Sequence, residues 1–391
     1  MLNGSNILRL DGNEGNQPSP DLITELSRLE TTALREYPDT SALQSEIASW
    51  IGVDPEQVVV TAGADDALDR VCRAFVQRTS QIVLPIPTFE MLYRFAALTG
   101  GEVITVPWRE QYPVDEVIDA IDSSTSLVVM VTPNNPTGRV ASVEDLTRVA
   151  RAAAGSIVLL DHAYVEYADE DLTPTALQFD NVVVVRTFSK AWGLAGCRVG
   201  YAVTSPEVAA VLRNAGNPYP VSSLSLAVAR AQLRRGTGSL TKHVVRIKTE
   251  RERLAAQLPR LGLSAAESQG NFLLVNFGGR AGFAYAALAF SGIAVRYFPH
   301  RPEISDALRI SLPGNEAHFK RLIAALELAV APQALLFDMD GVLADVEASY
   351  RRCVVETARS FGLEITRKDL QEAIHAGDAN NDWILTHRLL R

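Results

Sequence analysis

Thr187-Phe188-Ser189-Lys190-Ala191-Trp192-Gly193-Leu194-Ala195-Gly196-Cys197-Arg198-Val199-Gly200 is the stretch on which fold and site both turn. It follows Val182-Val183-Val184-Val185, a β-branched run that reads as a buried strand. Lys190 therefore stands just past a strand end, in a turn flanked by small hydroxyl residues. Arg198 follows eight positions later, after a glycine-containing loop. A lysine so held can form a Schiff base with a carbonyl cofactor. An arginine nearby can grip a phosphate with its planar fork. A surface Ser-Lys turn followed by an unrelated arginine would show the same residues, so the rest of the chain decides.

The chain has 391 residues, 47% apolar and 21% charged, enough for a sizeable core and for two or three domains. The net charge of -9 and the lack of a long basic run argue against nucleic acid as a main partner. Cys72, Cys197 and Cys353 are scattered, without metal-ligand spacing, and suggest a reducing compartment. Residues 1–20 are polar, with no apolar signal core, and no apolar run approaches the ~18 residues of a membrane span. A soluble cytoplasmic protein is the expectation.

Outward from the quoted stretch, strands and helices alternate. Val58–Val60, Ile82–Leu84, Val103–Val106, Leu127–Val131 and Ile157–Leu160 read as strands. Helices are expected over 22–34, from a Ser41 cap through Trp50, and from the Gly63 region through Phe75. Others are expected over 91–98, 114–121 with Pro113 in the first turn, and after Ser142 with Asp145 closing a capping box. This is the α/β pattern of a mainly parallel sheet with helices on both faces. In such sheets ligands sit outside the carboxyl ends of the strands. Gly63, Asn135, Asp161 and Lys190 all follow expected strand ends, so one pocket can collect them.

Past Ser205 the texture changes. A charge-rich helix over 240–261, strands at 271–277, 293–297 and 307–311, and a closing helix over 315–330 suggest a smaller α+β domain. The expected division is an N-terminal arm with part of the small domain (1–36) and a large cofactor-binding domain (37–205). Residues 206–331 form the rest of the large-domain edge and the small domain, and 332–391 a separate segment.

With these motifs in order, residues 7–330 resemble fold-type I pyridoxal-phosphate aminotransferases, closest to the histidinol-phosphate branch. The resemblance implies pyridoxal 5'-phosphate as cofactor. Lys190 matches its Schiff-base lysine and Asp161 the carboxylate that keeps the pyridine nitrogen protonated, making the ring an electron sink. Tyr164 and Asn135 match the groups that hydrogen-bond the ring oxygen. Arg198 matches the phosphate-binding arginine, with Thr187 and Ser189 as hydroxyl donors. Ala64 and Asp65 open a helix whose free amides suit a phosphate; charge excludes the Asp65 side chain, so its contact would run through the backbone. Phe89 matches the aromatic that stacks on the ring. Tyr37 matches a tyrosine reaching the neighbouring subunit's phosphate, which implies a homodimer. His162 stands where a glutamate is common.

For the substrate, the resemblance gives Arg309 to the α-carboxylate and Arg296, thirteen positions earlier, to a substrate phosphate. Asn13 matches an N-terminal motif near the substrate, but Gly15 stands where asparagine and proline are usual, which leaves side-chain specificity open. The implied reaction is ping-pong amino transfer between L-histidinol phosphate and 2-oxoglutarate. An aminotransferase for aromatic or other amino acids, a threonine-phosphate decarboxylase-like lyase, and a non-catalytic cofactor-binding regulator are the alternatives.

Ala334-Leu335-Leu336-Phe337 runs into Asp338-Met339-Asp340-Gly341, which resembles the first motif of haloacid-dehalogenase-like phosphatases. That likeness implies Asp338 as nucleophile, Asp340 as acid/base, and Mg²⁺ held by both. Only this first motif is present, so a truncated segment without phosphatase activity is expected.

Overall fold

The computed structural model describes residues 7–331, 351–375 and 382–389. The chain divides into two units, Met1–Ala331 and Pro332–Arg391. In the first, the strands in chain order are β1 (Leu8–Arg9), β2 (Val58–Thr61), β3 (Gln81–Ile86), β4 (Glu102–Pro107), β5 (Thr125–Val131), β6 (Ile157–Asp161), β7 (Val182–Thr187) and β8 (Gly200–Val203). They continue as β9 (Ser264–Ala265), β10 (Phe272–Asn276), β11 (Ile293–Ala294), β12 (Arg296–Tyr297) and β13 (Ala307–Ser311).

The main sheet has seven strands in the order β2-β8-β7-β6-β5-β3-β4. All run parallel except β8, which is antiparallel to both neighbours. Both faces are covered, so its central strands are apolar throughout rather than alternating. In β7, Val182 and Val184 enter one core while Val183 and Val185 enter the core on the opposite face. Three elements here escaped the sequence reading: β8 itself, and the helices Pro206–Asn214 and Ser223–Arg234 beyond it.

A second sheet, β12-β13-β10-β9, forms the smaller α+β part. The strand expected over 293–297 is split. Ile293–Ala294 pairs in parallel with β1 of the arm, while Arg296–Tyr297 pairs antiparallel with β13. The arm is thus not irregular throughout: Leu8 and Arg9 stitch it to the small part.

Local chemistry sets the helix ends. The Ser142–Asp145 capping box is formed, Ser142 N–H donating to the Asp145 carboxylate (2.8 Å) and Asp145 N–H to Ser142 Oγ (3.1 Å). Asn315 caps the helix Glu316–Val330 instead of joining it, accepting from the N–H groups of Ala317 and His318 at 3.0 and 3.1 Å. Ser41 is the first helical residue, not the cap; the Asp39 carboxylate accepts its N–H at 2.9 Å. Pro113 likewise precedes its helix. The helix expected over 22–34 is two, Asp21–Leu26 and Thr32–Arg35. Ser27 Oγ donates to the Thr24 carbonyl at 2.7 Å, the side-chain competition that makes serine a poor helix-interior residue.

Among the described residues no helix is long and apolar enough to cross a membrane. In the second unit, helices Arg352–Ser360, Arg367–His375 and Asp382–Leu389 share a small core of Val354, Leu370 and Leu385. Asp338 and Asp340 lie outside the described residues.

Candidate active site

The parallel strands end together at one edge of the main sheet, and β8, running the other way, begins there. β2 therefore delivers Ala64 and Asp65 on the helix Gly63–Phe75, β6 delivers Asp161, and β7 delivers Thr187, Ser189 and Lys190. Arg198 arrives from the approach to β8. With Leu68, Phe89, Asn135, Ala163 and Tyr164, these residues line one pocket. Leu68 and Ala163 were not singled out from sequence; each lies within four residues of one that was.

One corner of the pocket is built for an anion. Gly63 opens its helix at φ +80°, and a Cβ there would lie 2.8 Å from Arg198 Nη2. A Cβ on Gly200 would lie 2.6 Å from the Ala64 amide nitrogen. Two missing side chains thus let the guanidinium meet the free amides of a helix N-terminus. Arg198 itself adopts φ 52°. It pairs with the Asp65 carboxylate at 3.0 Å, both side chains about half exposed. So the Asp65 side chain faces Arg198. Thr187 Oγ1 accepts the Ser189 N–H at 3.0 Å, fixing the turn before Lys190.

The opposite corner is built for a cation. Asp161 is 5% exposed, and burial pushes its carboxyl up to about 7, although the Ala163 N–H donates to it at 3.1 Å. His162 points away from the pocket. Its Nδ1 contacts the Thr132 carbonyl and its Nε2 accepts the Leu172 N–H at 3.1 Å. The residue that departs from the motif therefore ties the end of β5 to the loop after β6.

Lys190 Nζ lies 3.4 Å from the Gly12 carbonyl and 5.4 Å from the Tyr164 ring centre. The arm forms this wall. A Cβ on Gly15 would come within 1.7 Å of the Lys190 carbonyl oxygen, so the arm approaches the lysine loop at backbone distance. Gly15→Ala is expected to force the arm outward and lower stability by roughly 1–3 kcal/mol, read as a reduced unfolding midpoint; an unchanged midpoint would mean the arm relaxes freely.

The substrate residues are less closely gathered. Arg309 on β13 is 7% exposed. It donates from Nη1 to Asn135 Oδ1 (2.7 Å) and from Nη2 to the Asp11 carbonyl (2.5 Å). Its Nε is buried and without a hydrogen-bond partner. Asn13 donates from Nδ2 to the Tyr164 hydroxyl at 3.0 Å. Arg296 does not line the pocket; it faces Glu90 at 3.5 Å, about half exposed. Tyr37 also stands apart, 79% exposed and stacked on Tyr219 at 4.3 Å.

The donor set suits pyridoxal phosphate. An amine, a buried carboxylate short of a counter-cation, and an arginine beside free helix amides are grouped as its aldehyde, pyridinium and phosphate require.

A mainly parallel sheet with this lysine and this buried carboxylate at its carboxyl edge matches the fold-type I pyridoxal-phosphate transferases. The model for aminotransferase class I and II matches residues 4–326, and the chain belongs to that family. A histidinol-phosphate aminotransferase of Thermoanaerobacter pseudethanolicus is 35% identical over 318 residues, 79% of this chain and 90% of that one. An aromatic amino acid aminotransferase of Cutibacterium acnes is 32% identical over 337 residues, 84% of this chain and 94% of that one. Among solved structures, the histidinol-phosphate aminotransferase of Sinorhizobium meliloti, in complex with pyridoxal-5'-phosphate, superposes with a TM-score of 0.77 at 26% identity. That match covers 84% of this chain and 92% of the other.

Proposed function

We propose that this chain is a pyridoxal-phosphate-dependent aminotransferase whose amino donor is L-histidinol phosphate and whose acceptor is 2-oxoglutarate. The observation carrying the class is the shared pocket of Lys190, Asp161 and Arg198. Support for the donor comes from relatives of that name at 35% and 36% identity; Arg296, which faces Glu90 outside the pocket, would turn to the donor's phosphate. When bound, the cofactor supplies a conjugated electron sink for the electrons released at the substrate's α-carbon.

The chain's own residues do the rest. Lys190 Nζ would hold the cofactor's aldehyde carbon and, once freed, would take the proton from the substrate α-carbon and deliver it to that cofactor carbon. Asp161 keeps its charge opposite the ring nitrogen. Tyr164 and Asn135 fix the ring oxygen, and Phe89 covers one ring face. Arg198, the Ala64 and Asp65 amides, Thr187 and Ser189 hold the phosphate. Arg309 takes the α-carboxylate, exchanging its bond to Asn135 for a charged partner that its orphaned Nε can also reach.

Tyr37 serves the partner's pocket in a homodimer; its exposure and distance from its own pocket suit that role. The division into an arm (1–36), a large domain (37–205) and the remainder to 331 places cofactor residues on the large domain and Arg296 and Arg309 on the small one. A reducing, cytoplasmic setting suits the free thiols Cys72, Cys197 and Cys353. The reading asks nothing of Asp338 and Asp340.

The test is a spectral half-reaction screen over amino donors with and without a phosphate. Histidinol phosphate is expected to convert the bound cofactor fastest. In Arg296→Ala, kcat/KM is expected to fall roughly 10²-fold for that donor and only a few-fold for unphosphorylated amino acids. Equal losses would reject phosphate recognition. Preference for aromatic donors would favour the second reading, which the C. acnes relative supports. Carbon dioxide release would mark a lyase.

A further inference from the structure

The geometry points to Ser311 as a positioning residue that sets Tyr164 as a hydrogen-bond donor into the pocket, acting through Asn13. The inference rests on the cofactor reading above.

Ser311 lies two positions beyond Arg309 on β13, so both side chains leave the same face of the strand. The backbone arrives first: Ser311 N–H donates to the Leu10 carbonyl at 2.9 Å, laying the arm along the end of β13. Asn13 follows with φ 55°, a left-handed conformation that asparagine tolerates better than most residues. Its N–H donates to Ser311 Oγ at 3.2 Å, and Ser311 Oγ donates to Asn13 Oδ1 at 2.6 Å. Asn271 holds the same turn from below, donating from Nδ2 to the carbonyls of Asn13 and Glu14, both at 3.3 Å. Asn13, Asn271 and Ser311 are all buried.

This clamp settles which end of the Asn13 amide faces Tyr164. A hydroxyl that already accepts the Asn13 N–H has its own proton to give, and gives it to Oδ1. Nδ2 is then turned to the Tyr164 hydroxyl, 3.0 Å away. With one lone pair of Tyr164 occupied by a donor, the phenol's proton is directed elsewhere, and the pocket that Tyr164 lines is where an acceptor will sit. A phenol that accepts a bond is also a stronger donor. Without Ser311 nothing opposes the reversed amide, which presents an acceptor to Tyr164 and draws its proton out of the pocket.

Lys190 Nζ lies over the Tyr164 ring, Arg309 on β13 interacts with Tyr164, and the other charged residues lining its pocket are Asp161 at the end of β6, Asp65 on the helix after β2, and Arg198 before β8. None changes identity in the test. A donor to the cofactor's ring oxygen disperses its negative charge and so weakens the hold on the neighbouring nitrogen's proton. Losing it raises the pH at which that proton leaves, which is visible in the absorbance of the covalently held cofactor.

Ser311→Ala in the loaded, full-length protein is expected to raise that spectral midpoint by roughly 0.5 pH unit. Ser311→Thr should restore it, since threonine keeps the hydroxyl. Asn13→Ala, which takes the donor from Tyr164 but leaves no competing acceptor, should raise it by less than Ser311→Ala. Tyr164→Phe should raise it further, and on that background Ser311→Ala should add nothing. A normal unmutated titration with an unmoved midpoint in Ser311→Ala would overturn this inference alone. So would a Ser311→Ala shift that persists undiminished in Tyr164→Phe. An unmutated protein that binds no absorbing cofactor would remove the cofactor reading and this inference together.

Discussion

Lys190→Ala is expected to abolish transamination, with turnover falling by about 10⁴-fold or more. Two separate roles converge on one atom. Lys190 Nζ is the amine among the pocket's lining groups, so no other side chain there can hold an aldehyde carbon as a Schiff base. The same nitrogen is the base proposed to move the α-proton, and a positioned base alone contributes about 10²–10⁴-fold. Removing it forfeits both contributions. The check is direct. Unmutated protein, reduced with borohydride and digested, should carry the cofactor's mass on the peptide containing Lys190. The Lys190→Ala protein should retain the cofactor only through Arg198, Asp161 and their neighbours, and should lose it on dialysis. Retained turnover, or label on a different lysine, would reject the assignment and the reading built on it. Partial rescue by a small added amine is expected for proton transfer, because the alanine leaves space for one.

What the sequence showed and what it hid follow from the range of the forces involved. The sheet was legible because its strands are buried on both faces. Val58–Val60 and Val182–Val185 are apolar without interruption, and such runs between helical texture have few other readings. The pocket's position followed from that order alone, since parallel strands end on one edge. Non-local pairings were hidden. β1 is two residues long and pairs with β11 nearly three hundred positions away, so no local pattern marks it. β8 is four residues whose antiparallel sense depends on its neighbours.

The site divides in the same way. Lys190, Asp161, Asn135 and Arg198 sit in short motifs at strand ends, where residue type and position are both informative. Ser311 and Asn271 act through contacts between the arm and the small part, and the Gly12 carbonyl through one between the arm and the lysine loop. Of these only Ser311 left a trace, at the alternate position from Arg309 on one strand face. Gly15 was visible as a departure from the motif, but its meaning was not. Only the 1.7 Å approach to the Lys190 carbonyl shows that the glycine permits the arm to close.

Asp161→Asn should move catalysis and stability in opposite directions. In the loaded protein the buried carboxylate is proposed to face the ring cation, and breaking such a pair from one side costs about 3–5 kcal/mol. An asparagine cannot hold the ring nitrogen protonated, so that loss falls on the electron sink itself. The half-reaction is expected to slow by roughly 10²–10⁴-fold, with the substrate carboxylate still bound. In the cofactor-free protein the sign reverses. Burial raises the Asp161 carboxyl from 3.8 to about 7, so the folded state favours the protonated form more than the unfolded state does. Stability from this group is therefore fully present below about pH 4 and is lost as pH rises to about 7, a cost on the order of a few kcal/mol. Asp161→Asn removes the titration, so the cofactor-free variant should lack that decline and be the more stable protein at pH 8. Cofactor binding to the unmutated chain should cancel the decline as well, because the ring cation restores a partner to the charge. Melting curves from pH 4 to 8, with and without cofactor, check all three statements. A decline that survives the substitution would assign it to another group and leave Asp161 as an ordinary strand-end residue.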